Sequence, residues 1–287
     1  MKGIVWLASY PKSGNTWFRA FLTNFLRAAE TPVSINELGA GPMASSRRAL
    51  DEALGYHSGE LTPEEIDRLR PEWYLHQAHT ATETIFSKIH QAYLHLPEGR
   101  PLIPPEATAA VLYFVRNPLD VCVSYALHSG HDGYDRAIHG MGPGAEEFEP
   151  TEGHARTQLR QQLRSWSRHV TSWVDALDLR VHVVRYEDMK TRPEATFGAA
   201  VRFIGLPDDP GRLKKAIAFS RFEEMQRQEL AGNFRERWPR QRLFFRRGEP
   251  GSWRQALSAK QVAQIIADHG DVMRRWGYLQ ENGEPVD

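Results

Sequence analysis

Two short, uninterrupted apolar runs stand out in the N-terminal half of the chain, each followed at once by a polar turn and a helical pattern. The first, Ile4-Val-Trp-Leu-Ala8, leads through Ser9-Tyr-Pro-Lys-Ser-Gly-Asn15 into Trp17, Phe18, Phe21, Leu22, Phe25 and Leu26 at helical spacing. The second, Ala109 to Val115, has the continuous apolar character of a strand buried on both faces of a parallel sheet. It ends at Arg116; Asn117 can then cap a helix that begins with Pro118, with Asp120 at its third position facing back to the cap. Val181-His-Val-Val-Arg185 predicts a third strand, running into Tyr186-Glu-Asp188. Between the second and third strands, Leu159, Leu163, Trp166, Val170 and Trp173 predict one long amphipathic helix. Thr62-Pro-Glu-Glu65 predicts a helix start, with a Thr cap, Pro in the first turn and Glu three residues after the cap. Residues 36–60 lack a period and read as loop, and 140–153 reads as an insertion loop whose Glu146, Glu147, Glu149 and Glu152 face solvent. Strands alternating with helices, without an internal repeat, predict an α/β layer fold with a mainly parallel sheet.

Composition narrows the function classes. The 36 Lys and Arg balance the 36 Asp and Glu, for a formal charge of zero, so nothing global calls for nucleic acid or an acidic membrane as partner. Apolar residues at 41% and charged residues at 25% lie in the globular range. A single cysteine, Cys122, excludes an intrachain disulfide and any zinc site needing several thiolates. No apolar run reaches the roughly 20 residues of a membrane span. The run Gly3–Ala8 is too short for a secretory signal, so a cytoplasmic protein is expected.

The first turn carries the chemistry. A strand, a polar loop holding Lys12, Ser13, Gly14, Asn15 and Thr16, and a helix make an anion site, because the first helical amides are unpaired and the helix dipole favours negative charge. The loop is P-loop-like, but Pro11 precedes the lysine and no Gly-Lys-Ser/Thr ending is present, which removes the usual warrant for ATP and magnesium.

Three strings, in order, resemble one family. Tyr10-Pro-Lys-Ser-Gly-Asn-Thr-Trp17 resembles the 5′-phosphosulfate loop of cytosolic-type sulfotransferases that use 3′-phosphoadenosine 5′-phosphosulfate (PAPS). Arg116-Asn-Pro-Leu-Asp-Val-Cys-Val-Ser124 resembles their 3′-phosphate segment. Arg246-Arg-Gly-Glu-Pro-Gly-Ser-Trp-Arg254 looks like their late R-K-G-x-x-G-D-W-K segment, with Arg247, Ser252 and Arg254 in place of Lys, Asp and Lys. The resemblance implies a single α/β domain over residues 1–287, a mainly parallel central sheet flanked by helices, and sulfuryl transfer from PAPS to a hydroxyl of a small-molecule acceptor. It implicates Arg116, Ser124, Arg246, Arg247 and Gly248 at the 3′-phosphate, Trp17 and Phe222 as adenine-stacking faces, and Tyr186 at the adenine edge. Lys12 would stabilise the departing phosphate, with Ser124 holding it back until acceptor binds. A sulfuryl group carries less charge than a phosphoryl group, so no metal is expected.

By the same resemblance the base lies in a K-T-H-like segment after the early helices. Leu75-His-Gln-Ala-His79 stands there, aligning His79 with the base and Gln77 with the lysine; His76 is the rival. The pairs His76/His79 and His128/His131 have metal-binding spacing but no carboxylate nearby in sequence. Segments 36–75, 126–156 and 230–245 are candidate acceptor walls, with Trp73, Tyr74, Tyr125, His128 and Tyr134 suiting a small apolar molecule that bears a hydroxyl. The family's K-x-x-x-T-V-x-x-x-E dimer motif is absent, since Ser258, Ala259 and Ala263 stand at its positions, and the oligomeric state stays open. Two other readings compete. A triphosphate kinase would need Glu187 or Asp188 as metal ligands. A nucleotide- or RNA-binding module would use segment 234–247, where six arginines and one glutamate interleave with Phe234, Trp238, Phe244 and Phe245.

Overall fold

The structure is a computed structural model that describes residues 2–39, 43–130, 133–145, 157–237 and 243–286. In chain order its elements are β1 (Ile4–Ser9), α1 (Asn15–Arg27), α2 (Arg47–Leu54), α3 (Pro63–Thr80), β2 (Ile85–Ile89), β3 (Thr108–Val115), α4 (Pro118–Ser129) and α5 (Asp135–Met141). There follow α6 (Trp166–Val174), β4 (Val181–Arg185), α7 (Tyr186–Thr191), α8 (Pro193–Phe203), α9 (Pro210–Phe219), α10 (Phe222–Ala231) and α11 (Ala259–Arg275). The strands form one parallel sheet in the order β2-β1-β3-β4.

Alternation along the central strands explains why both faces are covered. Ile4, Trp6 and Ala8 of β1 and Val111, Tyr113 and Val115 of β3 point into one core with α3, α4, α6 and α11. Val5 and Leu7, with Ala110, Leu112 and Phe114, point into the other, where α1, α8 and α9 pack. Phe18, Phe21 and Phe25 of α1 are fully buried there, each worth about 2–3 kcal/mol of apolar transfer. A third, smaller cluster joins Ala20, Ile35 and Met225 to Phe234 and Phe245, tying the 234–245 region to α1 and α10.

Four sequence expectations change. Residues 36–60 hold a helix, α2, capped by the Ser46 side chain on the Ala49 amide. The long helix through 159–173 is only α6: Ser165 caps it on Arg168, and Arg164 has φ 57, which a helix interior does not allow. Leu159 and Leu163 are buried from an extended segment, whose backbone pairs with Ser45 and Ala92. A fourth strand, β2, lies at the sheet edge, and its Ile-Phe-Ser-Lys-Ile sequence, broken by two polar residues, is a weaker signal than a central apolar run. Asp120 does not face its own cap; Asn117 Oδ1 accepts from the Leu119 amide, and Asp120 serves a distant segment described below. Glu146, Glu147, Glu149 and Glu152 lie outside the described residues, as do His131 and Trp238.

Candidate active site

The loop between β1 and α1 opens at the carboxyl end of the sheet. No acidic residue occupies the first turn of α1 and no side chain caps it, so its leading amides are available to an anion. Gly14 at the cap has φ 97, and a Cβ there would sit 2.7 Å from the Tyr186 ring and 2.8 Å from Met189, so only glycine fits. Lys12 is also left-handed, at φ 70, and Arg116 Nη1 donates to its carbonyl at 3.1 Å. Asn15 Nδ2 donates to Leu7 O at 2.7 Å, anchoring the loop to β1. Ser13 Oγ and Arg116 Nε are both buried without a partner, and of the two residues Arg116 lines the cavity described next.

Lys12, Gly14, Asn15, Thr16, Trp17, Arg116, Ser124, Tyr186, Phe222, Arg246, Arg247 and Gly248 all line one cavity of ≈ 370 Å³. Ser13 sits behind the loop, fully buried. Asp120 brings the late segment to this cavity: its carboxylate accepts from the Gly251 and Trp253 amides and the Ser252 hydroxyl at 2.8–3.1 Å. Ser252, which departs from the family string, thus binds a buried carboxylate on α4. Tyr186 Oη donates to Gly248 O at 2.7 Å, and its ring lies 4.1 Å beneath the Arg116 guanidinium. Lys190 Nζ is 5.8 Å from the Trp17 ring and 5.9 Å from the Phe222 ring, so these two aromatics flank one space.

Lys12 Nζ lies 4.0 Å over the Phe244 ring; among the described residues it makes no hydrogen bond to Ser124. Burial, with repulsion from Lys88 and Arg116, pulls its pKa down to about 7. The lysine is therefore poised to lose its charge near neutrality unless an anion joins it.

The histidine expectation does not survive as made. His79 and His76 are exposed on the last turns of α3 and neither lines the cavity. His90, one residue beyond β2, does line it. Its Nδ1 is 2.8 Å from Ser9 O; a carbonyl only accepts, so Nδ1 carries the proton and Nε2 carries the free lone pair. Burial, then repulsion from Lys88, holds its pKa well below the ordinary histidine value, so the ring is neutral at neutral pH. A signal for it was present in the sequence. Lys88-Ile-His90 has the Lys-x-His spacing that Gln77-Ala-His79 lacks, and it follows a strand-like Ile85-Phe-Ser87. Lys88 also lines the cavity and pairs with Glu236 at 3.0 Å, while Glu236 takes a second bond from Arg19 at 2.7 Å. That double pairing holds the Glu236 carboxyl well below the usual range against its burial.

Of the acceptor candidates, Tyr125 and His128 line the cavity. Trp73 and Tyr74 do not; they are core residues, Tyr74 stacking edge-on against Trp6 and donating to Ala44 O. Tyr134 packs against the core beside α5. The kinase candidates are committed elsewhere: Glu187 accepts from the Asn117 amide and Tyr278 Oη, and Asp188 pairs with Arg192. Of the aromatics proposed for an RNA module, Phe234 and Phe245 are buried in the small core and Phe244 lines the cavity, while Trp238 lies outside the described residues. No group of three or more potential metal ligands occurs among the described residues. No helix among them is long and apolar enough to cross a membrane.

A parallel sheet with an anion-holding loop at the end of its central strand, facing a second cluster of arginines across one cavity, defines a P-loop-like group transferase. A family profile described as a sulfotransferase domain matches residues 2–277. The chain belongs to the sulfotransferase domain family and is a sulfotransferase. It is 23% identical over 274 residues to flavonol 3-sulfotransferase of Flaveria bidentis, covering 91% of this chain and 78% of that one. Cytosolic sulfotransferase 1 of Arabidopsis thaliana is 22% identical over 281 residues, covering 90% and 75%. Retinol dehydratase in complex with androsterone and inactive cofactor PAP shares the fold, with a TM-score of 0.65 at 18% identity over 97% of this chain and 83% of that one.

Proposed function

We propose that residues 1–287 form a single domain that transfers the sulfuryl group of PAPS to a hydroxyl of a small-molecule acceptor by in-line displacement, without a metal. The observation that carries this reading is the pairing, in one cavity, of the uncapped α1 terminus with Lys12 and of Arg116 with Arg246, Arg247 and Gly248. Two anion sites with an aromatic slot between them suit a nucleotide charged at both ends. The partnerless Nε of Arg116, at the cavity wall, fits an oxygen of such a ligand. PAPS, when bound, supplies an activated sulfuryl group whose departure leaves charge on a phosphate. Lys12 and the α1 amides hold that charge, and His90 Nε2 takes the acceptor proton. His90 replaces His79 in this role. Ser124 lines the same cavity and stays assigned to restraining Lys12, a contact that the Phe244 ring occupies in this conformation.

The acceptor wall from Tyr125 to His128, together with Met43 and Leu163, suits an apolar molecule with a hydroxyl. Androsterone bound to retinol dehydratase is an example of that chemistry. A relative named for its cytosolic location supports a cytoplasmic setting.

Calorimetry with 3′-phosphoadenosine 5′-phosphate (PAP) and with ATP, both without metal, tests the reading. PAP binds tightly and ATP weakly if it is right; tight ATP binding with no PAP binding would sink it. The Lys12 titration gives a second outcome. The ammonium is present below about pH 7 and lost above it, while anion binding favours it. Between pH 7.5 and 9, where the ligand phosphates are already ionised, PAP affinity therefore falls by up to about tenfold per unit, with proton uptake. Titrations in two buffers of different ionisation enthalpy measure that uptake. Gly248→Ala gives a third. Its φ is 65 and the new Cβ would sit 2.3 Å from the Phe222 ring, so Phe222 must leave the slot. PAP affinity drops at least about tenfold, consistent with about 1–3 kcal/mol of displaced packing and strain. Unaltered affinity would remove Phe222 from the nucleotide wall.

A further inference from the structure

The residues that hold His90 form a closed circuit through the two central strands. Tyr113, in β3, pairs in register with Ala8 of β1, next to Ser9. Its Oη is 2.8 Å from His169 Nδ1, and His169 Nε2 is 2.9 Å from the carbonyl oxygen of His90. The His90 ring in turn donates from Nδ1 to Ser9 O. A carbonyl only accepts, so Nε2 of His169 carries its proton and Nδ1 accepts from the tyrosine. Both ends of the neutral imidazole are used, and His169 is fully buried. A neutral imidazole supplies the acceptor and the donor that this pair of bonds uses.

We propose that His169 of α6 is a positioning residue for sulfuryl transfer, fixing the His90 peptide so that the His90 ring keeps its proton on Nδ1 and presents Nε2 to the acceptor. The inference rests on the reading of His90 as the base. Two other α6 side chains clamp the same stretch: Trp173 Nε1 donates to Gln91 O at 3.0 Å and the Ser172 hydroxyl accepts from the Tyr93 amide at 3.1 Å. Neither makes a hydrogen bond to His90, and the Ser172 hydroxyl donates to the main chain of His169 rather than to its ring, so they serve as an internal comparison. Burial holds the His169 pKa at about 4, which keeps the ring neutral and its two roles distinct. Loss of the His169 bond frees the His90 carbonyl, and the ring then exchanges Ser9 O for other orientations.

The test is long-range proton–nitrogen NMR of the histidine rings in the full chain at pH 7.5, with turnover of 2-naphthol measured alongside. Wild type shows His90 as a pure Nδ1–H tautomer. His169→Phe gives a mixture of tautomers and lowers kcat by about 10- to 100-fold, with the PAPS KM within about twofold. His169→Gln, which keeps an acceptor and a donor, restores both signals, and Ser172→Ala leaves both as in wild type. Should His169→Phe fail to fold, Tyr113→Phe deletes one oxygen and gives the same tautomer change in smaller degree. An unchanged His90 tautomer in the two phenylalanine variants, or the same change in Ser172→Ala, overturns the proposal. His90→Ala separates the two levels: if it keeps full turnover, the reading of His90 as base falls, while the tautomer result still reports on His169.

Discussion

Lys12→Met lowers kcat by about 100- to 1000-fold and leaves the melting temperature close to that of wild type. The magnitude is that of removing one preorganised charge from a water-poor site where negative charge develops. The fold persists because the loop is held by the Lys12 backbone, through Arg116, and by Asn15, rather than by the lysine side chain. Methionine is no more strained than lysine at φ 70. PAP affinity falls less than kcat, since the α1 amides remain, and the proton uptake expected above pH 7.5 disappears. Steady-state kinetics with saturating PAPS, beside a thermal melt, check this. A variant within tenfold of wild-type turnover would remove Lys12 from the chemistry.

His90→Ala lowers kcat by about 100- to 10,000-fold, the range for a positioned general base. His79→Ala and His76→Ala leave kcat and KM unchanged, because both side chains stand in solvent away from the cavity. The pH dependence carries a sign that separates the candidates. His90 is held below the ordinary histidine value, so its base form persists as pH falls through 6.5 and the acid limb of kcat/KM lies below that point. Lys12 sets the opposite limb, its cation being lost in the free enzyme as pH rises through about 7. A kcat/KM profile that peaks on the acid side of neutrality, and loses its acid limb in His90→Ala, is the expected result. An acid limb that survives in His90→Ala would assign the base elsewhere.

Much of the donor end could be read from the chain because its parts are local. A loop, its lysine and the following helix terminus sit within eight residues, Tyr10 to Trp17, and each uses backbone geometry that short sequence specifies. Arg116, just before the Asn117 cap, and Ser124, within the helix it caps, are close in the chain for the same reason. The late arginine segment was legible as a string, but its position was not. Asp120 places it through bonds that span more than 130 residues of chain. Trp73 and Tyr74 show the reverse failure: aromatic content marks a pocket wall and a core equally well, and only burial against Trp6 separates them.

The sequence by itself determined the parallel sheet, the anion loop and the absence of a disulfide, since strand runs, a glycine turn and a cysteine count are properties of neighbouring residues. The Lys-x-His spacing marks His90 as one candidate among several histidines, and only the tertiary structure shows that it, and not His79, faces the cavity. That choice depends on what surrounds a ring: His90 has Ser9 O fixing its proton, His169 fixing its peptide and a cavity before it, while His79 has solvent. The same is true of charge. A net of zero conceals a lysine whose pKa burial brings to about 7, because desolvation is set by the folded neighbours and not by composition.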